Sequence, residues 1–326
     1  MRSRMLTVGV LAALTAALVA TTPAAAEPAS HDLYLATPVS SDGTTADPAL
    51  LAALTDQHVS PAQPPSALSH STGADLTPPA AVESPVTANT APGIESIIGT
   101  DDRYRITPTT WYPASATVFL SRTQGGVTGR WCTGWMVSPD TVITAGHCVH
   151  TGGPGGSWIP SSQLLAWPGR DGDVAPYGSC TVSSLHSVLG WTQNADDRYD
   201  YGALKLNCTV GYTTGWYGFM WQEGSLTGVP TYNMGYGQDK PFGTQWETFD
   251  RITVTEPMRL FYQHDTIGGH SGGPVYTYTT LCGGPCGLAV HAYGTYGSPP
   301  FSNNNHGTRI TEAVFNNFIY WISLPW

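Results

Sequence analysis

Thr144-Ala145-Gly146-His147-Cys148, Asp200-Tyr201-Gly202-Ala203-Leu204 and Gly269-His270-Ser271-Gly272-Gly273-Pro274 decide the reading of this 326-residue chain. They present a histidine, an aspartate and a serine in that order, 53 and 71 residues apart. A serine hydroxyl is a weak nucleophile until a neighbouring base takes its proton, and that base works best when a third group fixes its tautomer. Ser271 is the nucleophile in this reading, because the glycines around it permit a tight turn and the close approach of a substrate. The backbone N–H groups of Gly269 and Ser271 are the expected donors to a developing oxyanion. His147 follows an apolar run and precedes a cysteine, which suits a rigidly held general base. Asp200 precedes Gly-Ala-Leu-Lys-Leu, an apolar strand that would bury its carboxylate as the orienting acid. Asp196 and Asp197 are the neighbouring alternatives, but they flank Arg198 without apolar followers and read as solvated loop charges. Taken singly, Ser271 also fits an ordinary Gly-Ser turn and His147 a structural histidine. The ordered set argues against both.

The flanks of these strings are short apolar runs punctuated by Gly, Pro, Asn and Asp. Thr117–Leu120, Gly134–Val137, Thr141–Thr144, Ala203–Leu206, Thr231–Met234 and Leu288–His291 read as strands. Helical periodicity enters only at the end, where Ile310, Val314, Phe318 and Ile322 recur every four residues behind Thr311 as N-cap. The expectation is an all-β body closed by a C-terminal helix. Six cysteines in an exported chain argue for three disulfides. Nearness in sequence favours Cys132–Cys148, Cys180–Cys208 and Cys282–Cys286, the first clamping the loop of His147. Zinc is the alternative for Cys282-x3-Cys286, yet no second pair stands at metal spacing, so no metal is expected.

The N-terminus divides from the rest by composition. Arg2, Arg4, the apolar run Leu6–Ala20 and Ala24-Ala25-Ala26 read as an export signal over 1–26, a retained membrane anchor being the alternative. Residues 27–95 hold ten prolines, eight acids, no Lys or Arg, and no Trp, Phe or Cys. Such a stretch buries little core and reads as a removable pro-segment, or as a tail that stays attached. Residues 96–326 carry eleven Lys and Arg against fifteen Asp and Glu, with no basic stripe, so nucleic acid is not an expected partner. No later stretch is apolar enough to span a bilayer, and nothing argues for an obligate oligomer.

With these motifs in place, the chain resembles the V8-like glutamyl endopeptidases, a secreted bacterial group of chymotrypsin-fold serine proteases. The resemblance covers roughly residues 94 to 322. It runs from Ile97-Ile98-Gly99-Thr100-Asp101-Asp102-Arg103 through Cys132-Thr133-Gly134-Trp135 and the three strings above to Ala289-Val290-His291. It implies two packed six-stranded antiparallel β-barrels over 96–326 with the triad in the cleft between them. It also implies cleavage of peptide bonds after Glu, less readily after Asp, without a cofactor. Thr266 and His291 match the family's carboxylate-binding S1 positions, and Ala292-Tyr293-Gly294 would form the pocket wall. Two departures bear on specificity. Asp265 neighbours Thr266, so a one-residue slip would put an acid in the pocket and favour basic side chains. The pair Gly272-Gly273 is closer to trypsin-like enzymes. His264 and His270 have no assigned role, and calcium near Asp171 and Asp173 is not claimed. Glu95 precedes Ser96-Ile97-Ile98, so an enzyme that cuts after Glu could release its own mature chain there. The rivals are a protease of basic or apolar preference and a non-catalytic binding relative, the latter needing a missing triad member that is not missing.

Overall fold

A computed structural model describes residues 28–47, 51, 58–65 and 95–325. The export signal expected over 1–26 lies outside the described residues. In chain order the strands are β1 (Pro38–Ser40), β2 (Val59–Ser60), β3 (Tyr104–Arg105), β4 (Thr117–Gln124), β5 (Val127–Met136), β6 (Thr141–Thr144), β7 (Leu164–Pro168) and β8 (Cys180–Val188). They continue with β9 (Gly202–Leu206), β10 (Gly218–Met220), β11 (Pro230–Gly235), β12 (Trp246–Thr255), β13 (Arg259–Tyr262), β14 (Pro274–Thr279), β15 (Gly284–Tyr293) and β16 (Asn305–Arg309).

Strands β8, β7, β4, β5, β6 and β9 pair in that order, and a further β8–β9 pairing closes the first six-stranded barrel. Strands β14, β11, β12, β13, β16 and β15 do the same, closed by β14–β15. Every pairing within the two barrels is antiparallel. Closure pairs the barrel strands with one another and leaves only short strand ends open, which limits edge-to-edge aggregation. The expected strands fall inside β4, β5, β6, β9, β11 and β15, except that Val137 lies one residue past the end of β5.

The C-terminal helix Glu312–Ser323 is capped by Thr311, whose hydroxyl accepts the Val314 N–H at 3.4 Å. Phe318 and Trp321 pack their rings 6.2 and 5.8 Å from Tyr201 of the first barrel. Lys205, buried on β9, donates its ammonium to the Trp321 and Ile322 carbonyls at 3.3 and 3.1 Å and to Asp140 at 3.1 Å. A cation at a helix C-terminus satisfies carbonyls that the helix leaves unpaired, so the buried lysine both neutralises Asp140 and terminates the helix.

The N-terminal segment differs from its expectation of little burial. Residues Pro28–Leu35 form a helix, and Leu35, Ala36 and Ala46 are buried. Strand β1 adds antiparallel to β8 of the first barrel, and β2 adds to β10, which itself pairs with β15 of the second. The association runs mainly through main-chain groups and small side chains, which is why composition did not disclose it.

Candidate active site

Ser271 sits in the loop between β13 and β14, and the first barrel holds that loop in place. The Thr133 N–H donates to the Ser271 carbonyl at 2.9 Å, and the Thr133 hydroxyl to the Gly269 carbonyl at 2.7 Å. The Thr144 hydroxyl in turn donates to the Thr133 carbonyl at 2.7 Å. Gly269 and Gly272 take φ of +102° and +85°, a region costly for any side chain. A Cβ on Gly272 would lie 2.1 Å from the Thr144 hydroxyl and 2.3 Å from the Thr133 carbonyl, so only glycine lets the barrels meet here.

His147 lies in a single helical turn, Gly146–Cys148, directly after β6. The disulfide Cys132–Cys148 ties that turn to β5. Closing its 16-residue separation restricts the unfolded chain by about 3 kcal/mol. Cys180 joins Cys208, and Cys282 joins Cys286. Asp200 is fully buried. Its Oδ1 accepts the His147 backbone N–H at 2.8 Å, and its Oδ2 faces the His147 Nδ1 at 2.7 Å. That contact places the imidazole proton on Nδ1 and leaves Nε2 to act as a base. Burial pulls the His147 pKa down, but Asp200 foremost and Glu95 with it hold the net value above that of a free histidine. Asp196 instead binds Arg198, and Asp197 binds Arg259 and Tyr296, so neither competes for His147.

Glu95 reaches into this centre. Its Oε1 accepts the Ser271 hydroxyl at 2.5 Å. Among the described residues the Ser271 hydroxyl makes no hydrogen bond to His147. The His291 Nε2 stands 3.5 Å from the same Oε1. Burial pushes the Glu95 carboxyl up to about 7, against the pull of the Ser271 hydroxyl. The following residue is held elsewhere. The Ser96 carbonyl accepts from Asn305 Nδ2 at 2.6 Å and from the Thr266 N–H at 3.3 Å, and its N–H donates to Asn305 Oδ1 at 3.2 Å. The Glu95 side chain therefore meets the nucleophile, while the Glu95–Ser96 peptide is anchored to Asn305.

His291 is fully buried on β15, with its Nδ1 2.8 Å from the Tyr262 hydroxyl. Its Nε2 has no hydrogen-bond partner and faces the Glu95 carboxylate. Burial, reinforced by His270, His264 and His306, keeps its pKa well below the ordinary value. His264 Nε2 contacts the Thr231 hydroxyl at 3.0 Å, and His270 Nδ1 contacts Asn233 Oδ1 at 3.3 Å, so both unassigned histidines support the loop from within. Thr266 is fully buried, its hydroxyl 3.1 Å from Asn305 Nδ2. The Tyr293 ring lies 6.2 Å from His147 and stacks on His306 at 5.3 Å. Its side chain thus sits behind the base rather than beside His291, and the buried Gly294 follows it. Asp265 turns away from the pocket, accepting the Ile98 and Asp102 N–H groups at 2.7 and 2.9 Å. Tyr262, Asn305 and Thr133 were not singled out from sequence, since each is a lone polar residue in an ordinary strand.

Among the described residues, Cys132, His147 and Cys148 come within metal-ligand spacing of one another. Both sulfurs are spent in the disulfide and the His147 Nδ1 is spent on Asp200, so this set does not fit a metal. No helix among the described residues is long and apolar enough to cross a membrane.

Residues 104–315 match the Trypsin family. A glutamyl endopeptidase of Bacillus licheniformis is 42% identical over 231 residues, covering 70% of this chain and 69% of the relative. A Bacillus subtilis protein named an extracellular metalloprotease is 43% identical over 229 residues, 69% of each chain. A solved Glu endopeptidase structure shares the fold with a TM-score of 0.58 at 24% identity, covering 70% of this chain and 100% of that one. On these matches and this geometry, the chain belongs to the trypsin family of serine endopeptidases, alongside the bacterial glutamyl endopeptidases.

Proposed function

We propose that the chain is a secreted, monomeric glutamyl endopeptidase made as a precursor, with His147, Asp200 and Ser271 as its triad. In the processed enzyme the Ser271 oxygen attacks the substrate carbonyl while His147 Nε2 takes the hydroxyl proton. The backbone N–H groups of Gly269 and Ser271 receive the oxyanion. The C–N bond then breaks as His147 returns the proton to the departing amine, leaving an acyl group on Ser271. Water, deprotonated by His147, releases the acid product. Asp200 stabilises the imidazolium in both halves.

One observation carries the specificity: a glutamate carboxylate lies between Ser271 and the unpartnered Nε2 of His291. A buried donor with no partner costs free energy until an acceptor arrives, so a P1 carboxylate satisfies His291 where an apolar side chain leaves it orphaned. Secretion is supported by the export-like N-terminus and by the name of the extracellular Bacillus subtilis relative. The same lodged carboxylate supports latency, since it takes the Ser271 proton donor away from His147. Cleavage after Glu95 would part it from the Ser96 that Asn305 anchors and let its carboxylate leave the site. Digestion of a denatured protein, with the products mapped by mass spectrometry, tests the reading. Cuts after Glu with fewer after Asp are expected. Cuts after Lys or Arg would overturn the pocket and leave the triad.

A further inference from the structure

The part of the N-terminal segment that touches the barrels is separate from the part that touches Ser271. Residues 37–46 run along β8: Leu189 N–H donates to the Thr37 carbonyl at 3.0 Å, Ser41 N–H to the Leu185 carbonyl at 2.8 Å, and β1 pairs across Pro38–Ser40. Side chains fix the register. The Ser40 hydroxyl lies 2.7 Å from His186 Nδ1, and Asn317 Nδ2 donates to the Ala36 carbonyl at 2.8 Å.

Residues 58–63 run along the second barrel's added strand. Gln63 and Trp216 exchange both main-chain hydrogen bonds, at 2.9 and 2.8 Å, and Ala62 N–H donates to the Cys282 carbonyl at 2.8 Å. The receiving surface is cut to fit. A Cβ on Gly218 would lie 2.6 Å from both Ala62 N and the Ser60 carbonyl, so the absent side chain makes room for the crossing chain. Among the described residues, none of 28–47 or 58–65 hydrogen-bonds His147, Asp200 or Ser271.

Two further observations concern what happens after cutting. The glutamates of residues 27–95 are Glu27, Glu83 and Glu95, so residues 28–82 contain none. An enzyme that cuts after Glu, and less readily after Asp, would reach this stretch only slowly, at its five aspartates. Charge does not hold it, because residues 27–95 carry eight acids and no base, and residues 96–326 are also net acidic. Main-chain pairing and apolar burial must supply the attraction, and added salt screens the repulsion rather than the attraction.

We infer that residues 28–65 are a detachable double edge strand, which stays bound across both barrels of the catalytic domain after its covalent link is cut. The retention of an uncut fragment rests on the glutamate reading above; the docking itself does not. The occupant of the β8 and β10 edges is then the chain's own processed N-terminal piece. Its described parts pair with both barrels, whose contact positions Ser271, and make no hydrogen bond to the catalytic groups.

The test uses the full chain carrying Ser271→Ala, which cannot digest itself. In the uncut chain, hydrogen exchange should find the Gln63 and Trp216 amides protected in both low salt and 1 M NaCl (roughly a 3 Å Debye length). Exchange at the unfolded rate would overturn the docking with no cleavage required. A trace of active enzyme then cuts the chain, a sulfonyl fluoride stops the reaction, and gel filtration follows. The fragment bearing residues 28–65 should co-elute with the catalytic domain at both salts, and separate elution would overturn the inference. Fragment masses read the cut position, so a cut away from Glu95 counts against the processing reading alone. Gln63→Pro with Leu35→Asp, both outside the catalytic domain, should reduce retention at least tenfold, and the same pair in a chain that keeps Ser271 should leave the freed domain's kcat/KM on a small peptide unchanged.

Discussion

The first barrel contributes His147 and the second His291, and their surroundings push the two imidazoles in opposite directions. His147 has a buried carboxylate on its Nδ1 at 2.7 Å, and its pKa is held up. His291 has a phenol on its Nδ1 at 2.8 Å and three further histidines around it, and its pKa is held far down. Both rings are turned the same way, with Nδ1 engaged and Nε2 facing the reaction space. The difference is the charge state each can reach. An imidazole backed by a carboxylate can accept a proton at little cost and so serve as base. An imidazole buried among neutral or like-charged groups resists protonation and serves as a neutral N–H donor. On the proposed function, the two barrels use one residue type for proton transfer and for carboxylate recognition, and the partner on Nδ1 decides which.

Breaking the first arm should have the largest effect. Asp200→Asn removes the charge and presents an amide to Nδ1, favouring the wrong tautomer. We expect kcat to fall by about 10⁴-fold with KM little changed. Steady-state kinetics on a Glu-containing peptide checks this, and a loss under tenfold would sink Asp200 as the orienting acid. Breaking the second arm should be milder and selective. His291→Leu removes the orphaned Nε2 donor, and a hydrogen bond to a charged group contributes about 1.5–3 kcal/mol. The kcat/KM for Glu at P1 should fall by about ten- to a hundredfold, with little change for an uncharged P1.

Glu95 lies against both arms and offers a pH reading of the contrast. Its carboxyl sits at about 7 in the folded chain, against 4.5 for a free side chain. Between those values the docked residue holds a proton that the released one gives up. Docking is therefore strongest below about 4.5 and weakens as pH rises through 7. Sulfonyl fluoride labelling of Ser271 in the unprocessed chain, taken as a ratio to the processed enzyme, should rise across that window. One proton limits the slope to about tenfold per pH unit. Glu95→Gln should flatten the rise, and an unchanged profile in that variant would dissociate the effect from Glu95.

The contact of His147 with Asp200 and the glycine loop of Ser271 were legible because each residue sits in a short string whose neighbours are constrained for the same reason. Glycine must stand at 269 and 272 for the loop to form, and a cysteine must follow His147 for the clamp. The strands and the C-terminal helix were legible from period and capping. Where Glu95 points was not legible, because its position in sequence suggested a processing site and said nothing of its contact with Ser271. Asp265 was misleading for the same reason: adjacency to Thr266 in the chain placed it near the pocket, whereas its carboxylate binds the Ile98 and Asp102 amides. The docked pieces of 28–65 were invisible for a different reason. Strand addition draws on main-chain groups that every sequence has, so a segment without Trp or Phe can still be held by a barrel strand.

The finest test of the comparison concerns Tyr262. If the partner on Nδ1 decides the role of each histidine, removing the phenol should disturb His291 without charging it. Tyr262→Phe keeps the ring and its packing, but it leaves Nδ1 free to carry the proton and Nε2 free to lose it. A neutral hydrogen bond contributes about 0.5–1.5 kcal/mol net, so kcat/KM for Glu at P1 should drop only two- to tenfold. A structural role alone would lower stability and affect all substrates alike. Tautomer loss predicts instead a selective loss for Glu, with kcat/KM for uncharged P1 residues preserved. Nitrogen-15 spectra of His291 should show the Nε2–H population falling in the variant. An unaltered tautomer together with an unaltered Glu preference would mean that the buried histidines, and not the phenol, hold His291 in its donor state.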